Sequence, residues 1–255
     1  TLGVAIGTES YNVCIGSATM SAVNTDASSN NVCIGHEAGK GGAVLMNDNV
    51  IIGFQAAKLT AANAVGSNVF IGKFSGGGTW AGACYYNVGI GTSTFLGAMN
   101  GAQFNTALGQ SAGRNITTSS NNTFLGYGCG TAVTIDNKVT AVGSGAYAAM
   151  DTSNGHTSTA SEGSGNTAIG YYSMAAYSSD GVVRNTAVGF ETMMTGIDHA
   201  AQDNVALGFR ALKVLTTGDE NVALGSKAGI ALQDGVKNTY VGKSAGASAT
   251  SASAN

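Results

Sequence analysis

Along the whole chain a five-residue unit, Asn-[Val/Thr]-x-[Ile/Leu/Val]-Gly, places apolar residues at alternate positions ahead of a glycine. Taking that glycine as position 0, the unit closes at Gly7, Gly16, Gly35, Gly53, Gly72, Gly91, Gly109, Gly126, Gly143, Gly170, Gly189, Gly208, Gly225 and Gly242, fourteen copies in all. Position −3 is Val or Thr and position −1 is Ile, Leu or Val in all fourteen. An apolar period of two over so few residues predicts a short β-strand. The copies are spaced by 9, 19, 18, 19, 19, 18, 17, 17, 27, 19, 19, 17 and 17 residues. Regular recurrence at this length predicts a solenoid, each coil adding one strand-bearing unit to a stack. The expected fold is an all-β parallel β-solenoid of about 13–14 coils, forming one domain over residues 1–255. A first incomplete coil falls at 1–16, and a loop insertion at about 151–165 accounts for the long interval.

On each strand, the Val/Thr and Ile/Leu/Val columns are expected to face into the coil, stacking as Val50 with Ile52, Val69 with Ile71 and Thr186 with Val188. The residue between them, at −2, would then point outward. It reads Ala5, Cys14, Cys33, Ile51, Phe70, Gly89, Ala107, Phe124, Ala141, Ala168, Ala187, Ala206, Ala223 and Tyr240. No charged residue occupies any of the seventy motif positions, so the strand has no face suited to water. An uncharged strip running the length of a stack needs cover. It predicts a homo-oligomer of three parallel chains about a common axis, with these −2 residues other than Gly89 as the interface.

Position −4 is Asn in twelve copies, with Gly3 and Val139 as exceptions. Asn tolerates left-handed backbone and its amide pairs with like amides above and below, so the column is expected to mark the turn into each strand. A sugar-binding polar row is the functional alternative. Position +3 is small in every copy and reads as a second inward column, whereas +4 is either Gly or a larger apolar residue such as Phe95, Tyr147 or Met174. Two strands per coil, joined at the marker glycine, are expected. Aromatics in the +1/+2 band, Phe54, Phe74, Tyr171, Tyr172, Phe190 and Phe209, are candidate ligand-contact platforms or shields of the strand edges.

Composition narrows the functional classes. Charged residues make up 10% of the chain and the net charge is −3, with Lys and Arg scattered, which disfavours a nucleic-acid partner. No apolar run approaches the roughly 20 residues of a membrane-spanning helix, so no membrane insertion is expected. Thr1 leads almost directly into the first copy, which reads as a processed product or a segment of something longer. The four cysteines lack the close pairing of zinc or redox sites. Cys14 and Cys33 share a motif position in consecutive coils, about 4.8 Å apart by strand spacing, within reach of a disulfide but equally read as stacked small hydrophobes. His36, His156 and His199 are too far apart in coil number to meet, and His156 with Asp151 and Glu162 is the one cluster that could hold a ligand. No catalytic group, cofactor or metal is expected. Asn115 and Asn121 head glycosylation sequons.

The copies Asn166-Thr167-Ala168-Ile169-Gly170-Tyr171, Asn185-Thr186-Ala187-Val188-Gly189-Phe190 and Asn204-Val205-Ala206-Leu207-Gly208-Phe209 carry a resemblance. They resemble the head repeats of YadA-like trimeric autotransporter adhesins, and equally the Asn-Thr-Ala-Ile-Gly repeats of bacteriophage tail fibres that end in an endosialidase-type chaperone. The resemblance covers nearly the whole chain, although the intervals here are longer than in adhesin heads of this type. It implies a left-handed parallel β-roll, obligately trimeric and extracellular, serving as an adhesive or stalk segment of a cell-surface or tail fibre. The implied partners are the chain itself and a host-surface glycan or protein receptor. Other readings are a filament subunit assembling end to end and a fibre-borne polysaccharide depolymerase. An ice-binding solenoid ranks lower, because the motif threonines are expected to face inward.

Overall fold

A computed structural model describes residues 11–21, 28–41, 45–58, 64–148, 164–176, 182–194 and 201–254. The chain forms two compact units, Thr1–Asn122 and Thr123–Asn255. The first holds β1 (Val13–Ile15), β2 (Val32–Ile34), β3 (Met46–Asn47), β4 (Val50–Ile52), β5 (Val65–Gly66), β6 (Val69–Ile71), β7 (Cys84–Tyr85), β8 (Val88–Ile90) and β9 (Thr106–Leu108). In the second lie β10 (Thr123–Leu125), β11 (Thr140–Val142), β12 (Thr167–Ile169), β13 (Thr186–Val188), β14 (Val205–Leu207), β15 (Val222–Leu224) and β16 (Thr239–Val241). Each described copy of the motif is thus one three-residue strand. Within each unit these strands pair in parallel and in register, Ala187 with Ala206 and Ala206 with Ala223, so the chain is an all-β stack of coils with no helix among the described residues.

The expected second strand after the marker glycine is absent from the described residues, where that stretch forms turns. A second parallel sheet does occur in the first unit, but it lies ahead of the motif: β3, β5 and β7 pair in that order.

Backbone geometry explains the invariant glycine. Its φ lies near +135°, as in Gly53 (140°) and Gly91 (137°), and a Cβ on Gly91 would sit 2.6 Å from the carbonyl oxygen of Gly109 in the next coil. No side chain fits between coils at that point. Left-handed residues recur at −5, +2 and +4, for example Asp203, Arg210 and Leu212 around Gly208 (φ 57°, 56° and 46°). The −4 asparagines are not among the residues of positive φ, so the left-handed entry to each strand belongs to the residue before the asparagine.

The two faces of the strand are the reverse of the expectation. Cys33, Ile51, Phe70, Ala107, Phe124, Ala141, Ala168, Ala187, Ala206 and Ala223 are wholly buried inside the coil, Tyr240 is nearly so and Cys14 is half-buried; Ala5 lies outside the described residues. As interior residues they cannot form the oligomer interface assigned to them. The −3 and −1 columns face out: Val13, Ile15, Leu108, Leu125, Ile169, Val205, Leu207 and Val241 are all exposed.

The physical reason is volume. The coil interior also receives the +3 and +4 side chains, leaving little room at −2. Where −2 is aromatic, at Phe70, Phe124 and Tyr240, +4 is glycine: a Cβ on Gly76 would sit 3.0 Å from the Phe70 ring, and Gly130 lies against Phe124 in the same way. Opposite several small −2 residues, +4 is large and buried, as in Ala141 with Tyr147, Ala168 with Met174 and Ala206 with Leu212, whereas Ala107 and Ala223 have glycine at +4 and their coils bury Ile116 and Leu232 instead. Gly89 gives way to Phe95, and Phe70 makes edge contacts with Phe95 and Trp80 at centroid distances of 6.3 and 5.5 Å. Close packing demands this exchange of volume across the core.

Candidate functional site

Buried asparagines at −4 carry donors and acceptors of the kind that bind polar ligands. Within a run of these residues, each side-chain oxygen accepts two hydrogen bonds from the next asparagine, one from its backbone and one from its amide. For Asn204 the donors are Asn221 N and Nδ2 at 2.9 and 3.0 Å. The Asn204 Nδ2 donates to Asn185 Oδ1 (3.0 Å), Gln202 O (2.9 Å) and Gly218 O (2.8 Å), the last holding the return segment of the next coil. Such ladders run from Asn12 to Asn122 in the first unit and from Asn166 to Asn238 in the second. The sugar-binding reading fails here, since these side chains are buried and already bonded. At Val139, which replaces one asparagine, the Tyr147 hydroxyl accepts from Asn166 Nδ2 at 2.8 Å. Burial, then the nearby Asp136 charge, holds the Tyr147 hydroxyl well above its usual pKa, so it stays protonated.

Three surface features remain available to a partner. The first is the outward apolar face, on which the −3 valines of the first unit give way largely to Thr123, Thr140, Thr167, Thr186 and Thr239 in the second, while −1 stays Ile, Leu or Val. Spacing in each column is that of paired parallel strands, about 4.8 Å.

The second feature is the +1/+2 band, where the structure brings the candidate aromatics together as ladders. In the first unit His36 stacks on Phe54 (5.4 Å) and Phe54 meets Phe74 edge-on (5.6 Å), with the Lys73 ammonium over both rings. In the second, Tyr171 stacks on Phe190 (5.2 Å) and Phe190 on Phe209 (5.5 Å). Tyr172 lies edge-on to Tyr171, and Arg210 caps Phe209. The ring faces are thereby largely occupied by each other and by cations, leaving edges for contact.

Acidic residues of this band form ion pairs within and between coils. Glu37 takes Lys40 and Lys58, the latter at 2.8 Å, together with Gln55 Nε2, and these hydrogen bonds hold its carboxyl down to about 2. Glu191 is lowered likewise by hydrogen bonds from Lys213 and Arg210.

The third feature escaped sequence reasoning. Tyr86 and Phe104, both at −5, stack on the exterior beside a cavity at the β3–β5–β7 sheet. Their shared offset of five from Gly91 and Gly109 was the signal that could have found them.

Cys14, Cys33, Cys84 and Cys129 are unbridged thiols, so the stacked-hydrophobe reading of Cys14 and Cys33 describes their packing. Among the described residues no group of three or more His, Cys, Asp or Glu could hold a metal ion. His156, Asp151 and Glu162 lie outside the described residues, as does His199. The sequon residues Asn115 and Asn121 are exposed. None of the family models, characterised proteins or solved structures compared with this chain matches it.

Proposed function

We infer that the chain is a structural and adhesive segment of a trimeric fibre on a cell surface or a phage tail. Three parallel copies, each wound as a left-handed β-roll, pack about a common axis in this reading, and the return loops and aromatic ladders face outward to a glycan or protein receptor. The observation that carries it is the outward strand face: in each unit, two columns of Val/Thr and Ile/Leu/Val without a charge. The corrected interface is therefore Val13, Ile15, Leu108, Leu125, Ile169, Val205, Leu207, Val241 and their column neighbours. Branched apolar side chains at strand spacing suit like-to-like packing better than the alanines first assigned to it. Sedimentation equilibrium at micromolar concentration tests the reading. A trimer that Leu207→Asp dissociates into folded protomers is expected, and a stable monomer of the unaltered chain overturns it.

The outward threonines favour ice binding as a second reading, because their expected inward orientation, which argued against it, is reversed. Ice binding needs the Thr-bearing face free, whereas trimerisation covers it. Thermal hysteresis from a monomeric chain would support this reading, and its absence removes it.

A further inference from the structure

In the first unit the −5 column runs Asn30, Asp48, Ser67, Tyr86, Phe104 and Asn121, all exposed and all with φ between 55° and 62°. Tyr86 and Phe104 stack with centroids 5.0 Å apart and planes within 6° of parallel. Phe104 covers one face of Tyr86. The opposite face looks toward the preceding coil, where the same position holds Ser67, too short to cover a ring. Tyr85 lies beside Tyr86 at 6.2 Å, and its ring lies over Gly66, where a Cβ would come within 3.1 Å of it. The surface here sinks into a cavity of about 230 Å³ lined by Asn47, Asp48, Gly66, Ser67, Tyr85 and Tyr86 among others. Asp48 Oδ1 accepts from Asn30 Nδ2 at 3.1 Å, and Asp48, Ser67 and Tyr86, at the same position of successive coils, all line the cavity.

We propose that this gap in the ring stack is a saccharide site that takes one neutral pyranose ring against the open face of Tyr86. The C–H face of a pyranose is complementary to the negative face of an aromatic ring, and its hydroxyls need the acceptors and donors that Asp48, Ser67 and Asn47 place around the rim. The volume is below the roughly 300 Å³ at which drug-sized pockets begin, which suits one sugar ring of a longer glycan. The Asp48 carboxylate selects against acidic sugars by charge repulsion. The site deepens the adhesive reading and rests on it: one weak contact per protomer becomes useful when an assembly presents several at once.

Saturation-transfer NMR on the full chain tests the site, with methyl glycosides of glucose, galactose, mannose and N-acetylglucosamine as probes and sialic acid as the acidic counterpart. Transfer to at least one neutral pyranoside and none to sialic acid is expected. Tyr86→Ala should weaken binding about tenfold or more by removing the platform. Ser67→Tyr should abolish it by continuing the ring stack into the gap; Tyr86 and Phe104 show that this backbone geometry accepts aromatic residues, so the variant keeps its fold. Thermal unfolding of each variant checks that point. Undiminished binding by folded Ser67→Tyr, or a preference for sialic acid, overturns the site and leaves the fibre reading standing. No transfer to any neutral probe from a chain that sediments as a trimer does the same. A stable monomer overturns the fibre reading whatever the sugar result.

Discussion

Replacing Asn204 with alanine tests whether the asparagine ladder is a fold determinant. The substitution removes three hydrogen bonds donated by Nδ2 and two accepted by Oδ1. Not all of these losses count equally. Asn185 Oδ1 still accepts from the backbone N–H of residue 204, and Asn221 Nδ2 still donates to Gly235 O at 2.7 Å. The backbone N–H of Asn221 and the carbonyl of Gly218 are the groups left without these partners. A buried polar group deprived of its partner costs about 1–3 kcal/mol, so the expected loss is about 2–6 kcal/mol. That is a large share of the roughly 5–15 kcal/mol that holds a typical domain folded. Urea unfolding at one fixed protein concentration, followed by circular dichroism, measures it as a lowered midpoint at unchanged slope. A loss below about 1 kcal/mol would refute the reasoning, since it would mean that water or a shifted backbone satisfies the same groups.

Phe124→Ala should cost about 3–5 kcal/mol by opening a cavity, and Gly130→Met in that background should recover part of it by recreating the pairing of Ala168 with Met174; no recovery in denaturant midpoint would count against the exchange of volume. The folded Glu37 carboxyl is lowered to about 2 from 4.5, so its contribution to stability is full above pH 4.5 and is lost as the pH falls through about 2. Melting temperatures between about pH 6 and pH 2 should therefore fall less steeply for Glu37→Gln than for the unaltered chain. Burial pushes the Cys33 and Cys129 thiols up to about 12, and both should resist alkylation at neutral pH until denaturant unfolds the chain, as mass spectrometry of iodoacetamide-treated protein would report.

The repeat, its strand, the parallel stacking and the inward +3 column were all legible in the residues, because periodicity and an invariant glycine survive any folding of the chain around them. Which strand face lies inside was not. An alternation of period two separates two faces, but when both are apolar it carries no sign, and hydrophobicity alone assigned the bulkier columns to the core. The sign was nonetheless written in volumes: Phe70 with Gly76, Phe124 with Gly130, Ala141 with Tyr147 and Ala168 with Met174 trade size in opposite directions, which residues do only when they share a space. The Tyr86–Phe104 platform was hidden for another reason. Five residues before each glycine the sequence reads as variable turn, and only coil stacking sets one ring over the next and leaves Ser67 short beneath them. By itself, then, the sequence determined that this protein is a stack of parallel β-coils, since a repeated local pattern dictates a repeated local structure. Tertiary structure alone decided which columns are core, which are free for partners and where the ring stack opens, because those depend on volume and contact between residues that periodicity treats as equivalent.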